Sequence, residues 1–190
     1  MTILRKALSV SVLACCVTPA SAEEMDIAQS WEHFTTTCGQ MLSDPDAYLA
    51  NLPEKGSKGQ KLTSTAADDS FQVAEYQNGP VNEQMHLAHF EGYSWVTCHI
   101  QINSVSVKGV DAQEAALREV LSEAENVVLA GGKVERNYTS LYAGLLEVAN
   151  AEIVQFTAVG VFDNPELHAE GELDGEGFYA NVEGRVTPSE

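Results

Sequence analysis

Ile27, Trp31, Phe34, Cys38, Met41 and Leu42 stand at offsets of 0, 4, 7, 11, 14 and 15 residues, the spacing of one face of an α-helix. The pattern predicts a helix over residues 25–42 with Cys38 on its apolar stripe. Ser43-Asp44-Pro45 restarts the chain: Asp44 can cap, and Pro45 can take the first position of a short second helix to Asn51 that Pro53 ends. Glu54 to Gln60, with two glycines and two lysines, has the composition of a solvated loop. The period then changes to two, with strand-like stretches at 61–66, 70–77, 83–90 and 93–102. Ala67-Asp68-Asp69 and Asn78-Gly79-Pro80 have turn chemistry, and connections this short imply an antiparallel meander.

The last two of these strands meet at Glu91-Gly92 with no room for a long loop. If those two residues turn the chain, the numbers of facing residues sum to 183, so Leu87 faces Val96 and Met85 faces Cys98. Met85, Leu87, Val96, Cys98 and Ile100 then share an apolar side that holds the second cysteine. The other side carries His86, Ala88, Phe90, Tyr93, Trp95, Thr97, His99 and Gln101, with His86 and His99 as diagonal neighbours. A slip of one residue would exchange the two sides.

Further along, Asp111 can cap a third helix with Glu114 reaching back, and its apolar face runs Leu117, Val120, Leu121, Ala124 and Val128 until Gly131-Gly132 stops it. Residues 138–149 carry conflicting signals: Tyr138, Leu141, Tyr142, Leu145, Leu146 and Ala149 fit a helix, while Gly144 and its surroundings permit a strand. Residues 151–162 read as a strand, Asp163-Asn164-Pro165 as a turn, 167–173 and 177–187 as weaker strands, and 187–190 as a frayed tail. Helices, strands, helix, strands is the order of an α+β fold: antiparallel meanders with the N-terminal amphipathic helix and a central helix packed on one face. A single domain over 23–190 is expected; two related halves, 23–105 and 106–190, are the alternative, although no motif aligns between them.

Residues 1–22 change where this fold is expected to reside. Arg5 and Lys6 precede the apolar run Ala7 to Val17, and Ala20-Ser21-Ala22 closes it, the three parts of a cleaved signal peptide. The run is too short to span a bilayer. A soluble, exported chain starting at Glu23 is expected, periplasmic if the signal is bacterial. Val12-Leu13-Ala14-Cys15 offers a minor alternative, lipidation at Cys15, but Leu13 suits a lipoprotein box poorly. Removal of Cys15 and Cys16 leaves Cys38 and Cys98, which in an oxidising compartment predicts one disulfide joining the helix stripe to the apolar side of the hairpin. Their spacing is wrong for a CxxC redox site.

Composition narrows the partners. The chain of 190 residues has 28 acidic and 10 basic side chains, a formal charge of −18, and loss of the signal removes two basic residues to give −20. Such a surface repels nucleic acid and anionic lipid. With 44% hydrophobic residues a core can form, which excludes general disorder.

Specific chemistry is sparse. His86 and His89 point to opposite sides of a strand, so only His86 and His99 converge, too few for a metal site, and no cofactor or metal is expected. His33, beside the helix stripe, and His168, in an acidic stretch, read as solvated or hydrogen-bonded histidines. There is no GxSxG elbow and no phosphate-cradling loop. Ala169 to Gly177 reads as a solvated acidic hairpin, without the spacing of a calcium loop. Asn137-Tyr138-Thr139 matches a glycosylation sequon too common to carry weight.

What remains is the side bearing His86, Phe90, Tyr93, Trp95 and His99, a candidate binding surface unless a further layer buries it. The leading expectation is a small exported acidic protein, non-enzymatic, that binds or modulates a basic protein or a small ligand. The alternatives are a small hydrolase or isomerase using His86 or His99 with a carboxylate, and a structural subunit of an envelope assembly.

Overall fold

The computed structural model describes residues 24–51, 61–65, 70–103, 105–107, 109–130, 134–136, 139–148, 151–162 and 177–187. The expected signal peptide, loop 54–60, turns 67–69 and 163–165, strand 167–173 and most of the tail lie outside the described residues.

Helix α1 spans Ile27–Ser43 and α2 spans Pro45–Asn51. Asp26 starts α1 through a reciprocal cap: its Oδ1 accepts from Gln29 N at 2.7 Å, while its own N–H donates to Gln29 Oε1 at 2.9 Å. Met25, expected inside the helix, instead bridges to Val105. Asp44 caps α2, its Oδ1 accepting from Ala47 N at 2.9 Å. Every member of the sequence-derived stripe, from Ile27 to Leu42, is buried.

The strands are β1 Lys61–Thr65, β2 Phe71–Asn78, β3 Val81–Phe90, β4 Tyr93–Ile102, β5 Val127–Leu129, β6 Val134–Arg136, β7 Thr139–Leu146, β8 Ala151–Phe162 and β9 Phe178–Val186. All their pairings are antiparallel, in the order β1-β2-β3-β4-β9-β8-β7-β5, with β6 also on β7. Met85 pairs with Cys98 and Leu87 with Val96, so the register through the Glu91-Gly92 turn is the expected one, with Gly92 supplying the positive φ of 82°.

Helix α1 lies across β4, β9 and β8, and α3, Val110–Glu123, lies against α1 and β8. The fold is therefore α+β, with its core between the helices and one face of the sheet. The Cys38–Cys98 disulfide crosses that core, with the Cα atoms 5.6 Å apart and both cysteines fully buried. Trp31 packs its ring 5.3 Å from Phe34 and edge-on to Phe156 at 5.6 Å, tying α1 to β8.

The structure departs from expectation around α3 and resolves one open question. Gly109, not Asp111, occupies the N-cap, with no side-chain hydrogen bond; Asp111 lies in the first turn, where its charge complements the helix dipole. Glu114 pairs instead with Arg118 at 2.6 Å, one turn ahead on the helix surface. The helix ends at Glu123 with Ala124 as its C-cap, well before Gly131-Gly132. Leu117 and Leu121 are buried as expected, but Val128 belongs to β5 and is 66% exposed, because the β-branched pair Val127-Val128 joins the edge of the sheet against β7. Residues 139–146 are strand, and Gly144 is its close-approach point: a Cβ there would lie 2.5 Å from Val128 O and 2.8 Å from the Phe156 ring.

Candidate functional site

Alternation along β3, β4 and β9 sends one set of side chains into the core and the other to the opposite, outer face of the sheet. No helix packs on that outer face among the described residues. His86, Tyr93, Trp95 and His99 are half-buried there and Phe90 is 54% exposed. All five candidate residues therefore share one face, in two groups.

Phe71, His86, His99 and Tyr179 form a row across β2, β3, β4 and β9: the Phe71 and His86 rings lie 5.9 Å apart, His86 and His99 5.4 Å, His99 and Tyr179 6.2 Å. Asn181 Nδ2 donates to His99 Nδ1 at 2.9 Å, and the Tyr179 hydroxyl stands 3.0 Å from the same nitrogen. With the amide so oriented, Nδ1 is an acceptor and the ring proton sits on Nε2. Burial lowers the His99 pKa below its ordinary 6.5, and the neighbouring His86 lowers it further. Among the described residues the hydrogen-bond partners of His99 are Asn181 and Tyr179, and no carboxylate bonds to His86 or His99.

The second group stands at the hairpin tip. Phe90 stacks on Tyr93, with centroids 5.0 Å apart and planes inclined by 15°, and the Arg185 guanidinium lies 4.5 Å over the Tyr93 ring. Arg185 Nη1 is 3.9 Å from Glu152, and Trp95 is the cross-strand neighbour of both Ala88 and Arg185. The result is a column of two rings and a guanidinium whose outermost member, Phe90, faces solvent beside the exposed Glu91.

The core side of the same hairpin holds a constellation that the sequence reading did not single out. Glu83 is 8% exposed, in line with Val81, Met85 and Leu87. Its Oε1 is bonded to His33 Nε2 at 2.9 Å, and its Oε2 accepts from the Tyr48 hydroxyl at 2.7 Å. A carboxylate can be buried only with such partners, and here α1 and α2 each supply one. Burial, then the charge and hydrogen bond of Glu83, push the Tyr48 phenol far up, so it stays protonated. Glu83 could have been found: extending the hairpin register by one pair sets it opposite Ile100, a charge in a core position. His33 is hydrogen-bonded, one of the two states expected of it; His168 lies outside the described residues.

Beside Glu83 a cleft of about 490 Å³ opens between α1, α2 and the strands, lined by Tyr48, Tyr76, Asp44, Gln40 and Asn51 among others. A second cleft of about 390 Å³ lies along α1 at Met25, Glu32 and His33. His86 and His99 line neither. Among the described residues no three His, Cys, Asp or Glu side chains are grouped to hold a metal ion, and no helix is long and apolar enough to cross a membrane.

Comparison of the chain with protein-family models, with curated proteins and with solved structures finds no match.

Proposed function

We propose that this is an exported, non-enzymatic binding protein whose outer sheet face engages a basic segment of a partner protein. The observation that carries the reading is the Phe90–Tyr93–Arg185 column, which holds a large apolar ring open to solvent at the tip of a hairpin anchored by a disulfide. A rigid, half-solvated aromatic surface is the kind of anchor on which binding energy concentrates. The formal charge of −18, with Glu91 beside Phe90 and Glu183 on the adjoining strand, favours a cationic partner and speeds its encounter. Arginine suits such a face best, since its guanidinium stacks on an aromatic ring while pairing with a carboxylate. Export, to the periplasm if the source is bacterial, rests on the signal-like first 22 residues and agrees with a disulfide that an oxidising compartment sustains.

The test uses a nona-arginine peptide as probe. The native chain should bind it saturably, more weakly as salt rises, and Phe90→Ala should weaken binding by about fivefold or more at constant salt. An unchanged affinity in Phe90→Ala would reduce the interaction to diffuse charge and remove the proposed surface. N-terminal sequencing of the protein recovered from its source tests export: a chain beginning at Glu23 supports it, and one beginning at Met1 defeats it.

A further inference from the structure

We propose that the cleft beside α2 is a binding site for a small organic cation, an alkylammonium or short polyamine, with its ammonium group on the Glu83 carboxylate. The site lies on the core side of the sheet and does not depend on the outer-face reading.

Among the described residues its charged lining has one sign: Glu83 and Asp44 are acidic, and no described lysine or arginine joins them. Glu83 is 8% exposed, and among the described residues each of its oxygens takes one hydrogen bond, from His33 or from Tyr48, while a carboxylate oxygen has room for a second. The described partners of Glu83 are one imidazole and one phenol, and a bound ammonium group would add a cation beside the carboxylate. Tyr48, kept as the neutral phenol, and Tyr76 present aromatic rings of the kind that attract ammonium groups and cover alkyl stems. Asn51 uses its Nδ2 on the carbonyl of Ala47, which leaves its side-chain oxygen as an acceptor, and Gln40 adds another amide to the lining.

The volume and the donors exclude simpler occupants. About 490 Å³ matches a small-molecule site rather than a bare ion, and no metal-holding group of acids and histidines exists among the described residues. A neutral sugar would satisfy the amides but bring no cation to the acidic groups of the described lining.

Titration calorimetry on the purified full chain at fixed ionic strength, with butylamine and putrescine as probes and glucose as the neutral control, tests this. The amines should bind saturably and glucose should not. Glu83→Gln keeps the shape and an acceptor for Tyr48, and should weaken amine binding by about tenfold or more. Asp44→Asn retains a capping side chain for α2 and should weaken it by about threefold. Binding of glucose in preference to the amines, no saturable amine binding, or equal amine affinity in the native chain and Glu83→Gln each overturns the site. If Glu83→Gln does not fold by near-ultraviolet circular dichroism, Asp44→Asn decides: weaker binding supports the site and unchanged affinity overturns it. Phe90→Ala should leave amine binding unchanged, so failure here is separable from failure of the outer-face reading.

Discussion

The two faces of the β3–β4 hairpin are built from the same alternation and carry opposite kinds of chemistry. On the core face Met85, Leu87, Val96, Cys98 and Ile100 are completely buried, and the one charge among them, Glu83, is held by two partners. On the outer face imidazoles and aromatic rings are half-buried, and their polar atoms reach neighbours only in part: His99 has Asn181 and Tyr179, whereas His86 has ring contacts alone among the described residues. Closely packed apolar atoms fix a fold, while half-solvated rings cost little to expose and are available to a partner. Stability is therefore expected to reside on one face and recognition on the other.

That division is broken or upheld most directly at the disulfide. The bond closes a separation of 60 residues, for which chain entropy gives about 4 kcal/mol. Replacing both Cys38 and Cys98 by Ala should cost about that much in urea unfolding, whereas Phe90→Ala on the outer face should stay within about 1 kcal/mol. Comparable losses from both would show that the outer rings are part of the core, and the assignment of recognition to that face would fall.

A second contrast separates Glu83 from every carboxylate at the surface. The native Tyr48 phenol is pushed far above its ordinary 10.0 by burial and by Glu83. The sign follows from which state loses its proton first: below about pH 10 tyrosine is protonated whether folded or unfolded, and above it the unfolded chain ionises while native Tyr48 does not. The stabilising contribution is thus complete below about pH 10 and declines as pH rises further. Unfolding free energy followed from neutral to strongly alkaline pH should fall more steeply in the native chain than in Tyr48→Phe. Parallel curves would mean that Tyr48 is not confined against a buried charge.

Legibility in the sequence divides along the same line. The stripe of α1, the sum of 183 across the hairpin and the meeting of Cys38 with Cys98 were readable because each is a strict period over many residues, and a misplacement would expose apolar surface. Around α3 the periods are short and compete. Leu117, Val120 and Leu121 continue into Ala124 and Val128 at helical spacing, and only the pairing of Val127–Leu129 with β7, a long-range contact, tells that the helix has ended. Gly144 is ambiguous on its own; against the Val128 carbonyl and the Phe156 ring it is required. The Glu83 cluster joins residues 50 and 35 positions apart in sequence, a distance no local pattern spans. The outer-face residues were placed correctly by register, but whether a layer covered them depended on where the helices packed.

The finest test of the two faces concerns His99, the outer-face group whose environment is closest to that of a core residue. Burial first, and the charge of His86 second, lower its pKa below 6.5. A histidine so shifted is neutral in the folded chain while the unfolded chain takes up a proton, so its contribution is complete above about pH 6.5 and is lost as the pH falls through the folded value. Titration followed by the imidazole resonances should place His99 below 6.5, and His86→Ala should move it only part of the way back, because the larger cause, burial, remains. A full return on removal of His86 would mean that charge alone sets the shift and that the outer face is as wet at His99 as at Phe90. No return would mean that the two rings, 5.4 Å apart between centroids, do not share a field, and the row from Phe71 to Tyr179 would then be packing without electrostatic coupling.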